Sequence, residues 1–134
     1  VELSNGIVLT PPTQYKFGDI PSVQRYVDRV LDDVRRTGDY NVPESITVRC
    51  SRGERRAFYS PGKAEIAMSG QWSMCEVVVL HEIAHALNDD PTCAHHGPEF
   101  LTILTDLFDR VVGPELTPLF RVLADQHGVR FNHG

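Results

Sequence analysis

His81 and His85 stand four residues apart, with Glu82 directly after the first, in the stretch VVLHEIAHALNDDPTCAHHGPEF that runs from Val78 to Phe100 and holds four of the chain's six histidines. Side chains at i and i+4 share one face of an α-helix. Two neutral imidazoles on one face can ligate a single Zn²⁺, and a glutamate one residue after the first is offset around the helix, where it can reach a water on the ion without filling a ligand position. In this reading His81 and His85 are ligands and Glu82 is the general base. The plain alternative is an exposed helix face with ordinary polar residues. The flanking pattern weighs against it. Val77, Leu80, Ala84 and Leu87 make an apolar stripe with Val78 and Ile83 beside it, so histidine and glutamate here belong to a half-buried helix and need partners.

Catalytic zinc takes three protein ligands and keeps one position open. Beyond the helix-ending Asn88-Asp-Asp-Pro91, the candidates for the third ligand are Asp89, Asp90, His95, His96 and Glu99. His96 is favoured. It stands at the threshold of a helix that Pro98 opens, Gly97 lets the backbone turn tightly there, and the intervening loop is long enough to fold back over the first helix. Glu99 also reads as a carboxylate suited to a helix N-terminus, and His95 as a solvent-exposed loop histidine. Cys93 is a weaker candidate, because thiolate ligands usually come in pairs.

His81-Glu82-Ile-Ala-His85 followed by His96-Gly97-Pro98-Glu99-Phe100 resembles the SprT-like (Spartan-type) zinc metallopeptidases. The whole chain is similar to small actinobacterial metallohydrolases of the zincin type. The resemblance is specific over Val77 to Leu104 and architectural before Ser73. It implies His81, His85 and His96 as zinc ligands and Glu82 as the catalytic carboxylate. It implies a zincin-like fold, with the active-site helix packed on a short sheet whose edge strand holds an extended peptide or protein substrate by backbone hydrogen bonds. The loop from His85 to His96 is shorter than in Spartan-type enzymes, and residues 97–134 hold no cysteine-rich zinc ribbon and no basic tail, so DNA-linked substrates do not carry over.

The expected reaction is hydrolysis: a water acidified by zinc gives its proton to Glu82 and attacks a carbonyl polarised by the ion. The donor that steadies the oxyanion is open among Tyr40, Tyr59, His95 and His127, each of which also reads as structural. Two alternatives stay in view. One is hydrolysis of a non-peptide amide. The other is a non-enzymatic module with a vestigial motif or a structural zinc, closed by a fourth ligand from Asp89, Asp90 or Cys93.

The elements that must position these residues follow from periodicity. Val23, Tyr26, Val27, Val30, Leu31 and Val34 recur at the helical period, with Pro21 suited to the first turn and Gly38 to the stop. Ile46–Cys50, Arg56–Tyr59 and Ala64–Met68 read as three short strands in a meander. Arg49, Arg52, Arg55, Arg56 and Lys63 read as its solvated edge, and Phe58 and Trp72 as core aromatics. Ser73-Met-Cys-Glu76 fits a capping box at the start of the histidine helix. A third helix from Pro98 buries Phe100, Leu101, Leu104, Leu107, Phe108 and Val111, and a last one runs from Thr117-Pro118 to Gly128. The order predicts α+β with segregated layers.

The bulk numbers fit one globular domain over residues 1–134: 41% hydrophobic and 23% charged residues. A net charge of -5 disfavours generic nucleic-acid binding. Three scattered cysteines, Cys50, Cys75 and Cys93, make neither a disulfide framework nor a zinc ribbon. No apolar run approaches the roughly 18 residues of a membrane span, and no secretory signal is visible, so the expected location is cytoplasmic.

Overall fold

The structure is a computed structural model that describes residues 17–51, 57–69, 75–88 and 98–126. Among them are four helices and one three-stranded sheet, an α+β arrangement. α1 (Ile20–Thr37) buries the whole predicted stripe from Val23 to Val34, with Arg25, Arg29, Arg35 and Arg36 on the solvent side. Asp19 caps it, its carboxylate accepting the Ser22 N–H at 2.9 Å. Gly38, at φ 71°, ends it in the left-handed region that glycine enters without steric cost.

β1 (Thr47–Cys50), β2 (Phe58–Ser60) and β3 (Glu65–Met68) form a mixed sheet in the order β1-β3-β2. β2 and β3 are antiparallel, but β1 runs parallel to β3. This corrects the expected meander. Alternation fixes which residues extend and which face they share, not which strand lies beside which. The four residues 61–64 turn β2 back onto β3, and Ala64, expected as a strand residue, is the last turn residue at φ 49°. The link 51–57 can reach on the order of 23 Å. Strands flanking a third lie only about 10 Å apart, so β1 is free to take the far side of β3.

Val48, Ile66, Met68 and Tyr59 share the inner face and join one core with the helices, α1 lying on β1 and α2 (Glu76–Leu87) on β2. On the outer face Arg49 pairs with Glu65 at 2.5 Å and lies 5.7 Å from the centre of the Phe58 ring. Phe58 is therefore half-buried beneath a guanidinium and is not a core residue. Arg52, Arg55, Arg56 and Trp72 lie outside the described residues.

α2 begins at Glu76 with Cys75 as its N-cap, and no side chain caps it. Ser73 of the expected capping box lies outside the described residues; the Glu76 carboxylate is buried and accepts the Tyr26 hydroxyl at 2.5 Å. Burial and then the charge of Glu76 push the Tyr26 phenol far above its ordinary value. This bond ties α1 to the first turn of the histidine helix.

α3 (Pro98–Val111) packs on α2, burying Phe100, Ile103, Leu104, Leu107 and Phe108. Ile103 replaces the expected Leu101 and Val111, which are only partly buried. α4 (Thr117–Gln126) covers both helices, with Phe108 and Phe120 edge to face at 5.3 Å. Arg110 on α3 holds Asp106, Asp39 and Thr37, fastening the chain after α1. Among the described residues no helix is long and apolar enough to cross a membrane.

Tyr26→Phe removes the hydroxyl from a buried carboxylate while keeping the ring. It should cost about 1–3 kcal/mol, read as a lower urea midpoint with an unchanged m-value.

Candidate active site

α2 is covered on almost every side. Val77 to Leu80, Ile83, Ala84 and Leu87 are buried, and the partly open positions are His81, His85, Ala86 and Asn88. Positions 81, 85 and 88 fall about one helical turn apart and make one stripe, which the two imidazoles occupy, while Ala86 opens on another side of the helix.

The rings converge. His81 Nε2 and His85 Nε2 lie 3.1 Å apart, with ring centres at 4.8 Å. Two nitrogens bound to one tetrahedral zinc at about 2.0–2.1 Å lie roughly 3.3–3.4 Å from each other. The pair thus already has nearly the spacing that one ion requires, and neutral imidazole is the ligand form of histidine. Phe100, at the start of α3 and fully buried, walls this pair: its ring stacks on His85 at 4.3 Å and meets His81 edge-on at 5.4 Å. The periodicity placed Phe100 on the buried face of its helix but held no sign that it would stack on His85.

Glu82 is 4% exposed. Burial pushes its carboxyl up to about 8, and a hydrogen bond accepted from the Tyr59 backbone N–H on β2 pulls the other way. Its nearest approach to a ring is 3.6 Å, from Oε2 to His81 Nδ1, longer than a hydrogen bond and on the edge away from the Nε2 pair.

The structure therefore brings His81, His85 and Glu82 together on one helix. His96 lies outside the described residues, as do Asp89, Asp90, Cys93, His95 and His127. Among the described residues no group of three histidine, cysteine or carboxylate side chains is placed to hold a metal. Glu99 is exposed in the first turn of α3 and does not complete such a group with the imidazoles.

Of the two tyrosines considered as oxyanion donors, Tyr40 gives its hydroxyl to Asp106 at 2.7 Å; burial, then that bond, pushes it up to about 12. Tyr59 is half-buried on the inner sheet face, its phenol raised by burial. Its contribution to Glu82 is a backbone group, which no side-chain pattern announces.

Comparison of the chain with protein-family models, curated protein sequences and solved structures finds no match.

The raised carboxyl of Glu82 sets a pH dependence for the metal-stripped protein. A carboxyl raised on folding favours the native state while protonated. Its contribution is complete below the unfolded value near 4.3 and is lost as pH rises through the folded value near 8. Denaturation in a chelator should show stability falling by up to about 1.4 kcal/mol per pH unit between those limits. Glu82→Gln should flatten that part of the curve, and identical slopes for the two proteins would show that Glu82 titrates normally.

Proposed function

We propose that the chain is a zinc-dependent hydrolase of the His-Glu-x-x-His kind, acting on peptide bonds in a zincin-like arrangement similar to that of the SprT-like metallopeptidases. The observation that carries the reading is the 3.1 Å approach of His81 Nε2 to His85 Nε2 on a helix otherwise buried, with the Glu82 carboxylate beside them. His81, His85 and, from the sequence, His96 hold the ion. When bound, zinc supplies a Lewis acid and lowers the pKa of a coordinated water to about 7.

The remaining work belongs to the chain. A cation at the imidazole pair favours ionised Glu82 over the protonated form that burial alone prefers. Ionised Glu82 takes a proton from the attacking water and later delivers it to the leaving amine. Phe100 keeps water from one side of the imidazoles, so the approach lies along the stripe of His81, His85 and Asn88. The choice of a peptide rests on β2. Its second edge pairs with no strand among the described residues, and the strand packs against α2, the helix that carries the histidines, so an extended chain added at that edge comes near them.

The purified protein should carry one zinc per chain by elemental analysis. His81→Ala and His85→Ala should each lose the metal. Glu82→Gln should keep it while turnover of a broad peptide library falls about 10²–10⁴-fold. Undiminished turnover in that variant removes Glu82 from its role, and activity confined to small non-peptide amides moves the substrate class.

A further inference from the structure

The sheet has two edges, β1 and β2, and neither outer side pairs with a strand among the described residues. An edge whose N–H and C=O groups are left bare is a template for another chain. Along a strand, successive residues turn their backbone groups to opposite sides. The Thr47 and Ser51 N–H groups donate toward β3, to the Ala64 and Met68 carbonyls at 3.0 and 2.8 Å. Val48, Cys50 and Ile46, the last just before the strand, therefore turn theirs outward.

α1 meets this outward row with one side chain. The Gln24 carboxamide donates from Nε2 to the Ile46 carbonyl at 2.8 Å, and its Oε1 accepts the Val48 N–H, also at 2.8 Å. A residue of a parallel neighbouring strand would make the same two bonds, to one carbonyl and to the N–H two residues on. Nε2 also donates to Asp28 Oδ1, one turn along α1, at 3.0 Å. An ionised carboxylate only accepts and a backbone N–H only donates, so Asp28 and Val48 together fix which way the amide points. Farther along the same edge, Arg49 Nη1 donates to the Cys50 carbonyl at 3.3 Å.

We propose that Gln24 guards the sheet edge: by standing in for a neighbouring strand at Ile46 and Val48, it closes β1 to strand addition and leaves β2 as the edge where an extended chain joins the sheet. The partner it excludes is β1 of a second copy of this chain, which a two-fold axis would bring alongside in antiparallel register. The guard acts whether or not the chain is a hydrolase. Where the hydrolase reading holds, Gln24 also determines specificity, because it confines an extended substrate to the edge that packs against α2.

Gln24→Ala removes the amide at a helical position that alanine suits. In amide hydrogen exchange the Val48 N–H of the parent should be protected, although no strand among the described residues accepts from it. It should exchange about tenfold or more faster in Gln24→Ala, while the Thr47 and Ser51 amides keep their parent rates. In sedimentation velocity under a reductant, Gln24→Ala should show a dimer that grows with concentration and that the parent lacks. A Val48 amide that exchanges freely in the parent overturns the proposal. So does one unchanged by the substitution, or a variant that sediments as the parent does throughout. Gln24→Met keeps the stem and loses both bonds, so it decides the matter if Gln24→Ala does not fold: release of the Val48 amide supports the guard, and a parent-like rate overturns it. Failure of the hydrolase reading would appear separately, as a parent chain without zinc or turnover whose Val48 amide is still protected.

Discussion

The burial of α2 is the constraint around which the other elements are arranged. Its twelve residues are apolar on nearly every side, and α1, β2, α3 and α4 each lie against it. A helix of this kind is stable only inside a core, so any polar group it carries needs a specific partner. The helix carries two such carboxylates and two imidazoles. Glu76 takes the Tyr26 hydroxyl, Glu82 takes the Tyr59 N–H, and the imidazoles take each other, with Phe100 against both. Tyr26, Tyr59 and Phe100 come from three different elements, so the polar groups of α2 tie the packing together as well as interrupting it.

The two carboxylates differ in what satisfies them. Glu76 sits in the first turn, where the helix dipole favours negative charge, and receives a hydroxyl. Glu82 lies past the middle of the helix, and what acts on its carboxyl is burial opposed by one backbone N–H, with no side-chain cation contributing among the described residues. Such a group destabilises the fold whenever it ionises. A cation at the adjacent imidazoles reverses the sign of that local term. On the proposed reading, metal binding and ionisation of Glu82 therefore stabilise one another, and the metal-free fold carries the cost that the loaded one lacks.

What could be read from the sequence divides along physical lines. Helical periodicity is dense in the chain, so the stripe of α1 was legible residue by residue and that of α3 at Phe100, Leu104, Leu107 and Phe108 but not at Ile103, and Asp19 was the local detail missed at the start of α1. The His81–His85 face was legible because helix geometry alone determines it. Strand order was not, because Ile46–Cys50 alternates identically whichever neighbour it takes. Of the expected capping box, Ser73 lies outside the described residues, and the Glu76 carboxylate accepts a hydroxyl from Tyr26, fifty residues away, which no local pattern announces. Phe58 reads as core by type, yet it faces outward because its position in the register pairs it with Ala67 and brings it under Arg49. The Tyr59 N–H has no sequence signature, since every residue but proline carries one.

The place of the imidazoles along α2 adds a further electrostatic argument. His85 lies in the last turn, where the helix presents unsatisfied carbonyls and a partial negative charge. Positive charge is favoured there and disfavoured at the Glu76 end. The helix thus distributes its polar groups in the sense of its own dipole: a carboxylate at the N-terminus, imidazoles toward the C-terminus, and between them a carboxylate that neither end favours. The low-dielectric wall supplied by Phe100 strengthens each of these terms by keeping water from one side. A cation drawn to the C-terminal half by the dipole and the Nε2 pair comes beside Glu82, and this coincidence of field and geometry ties Glu82 to the histidines more tightly than their spacing in the sequence does.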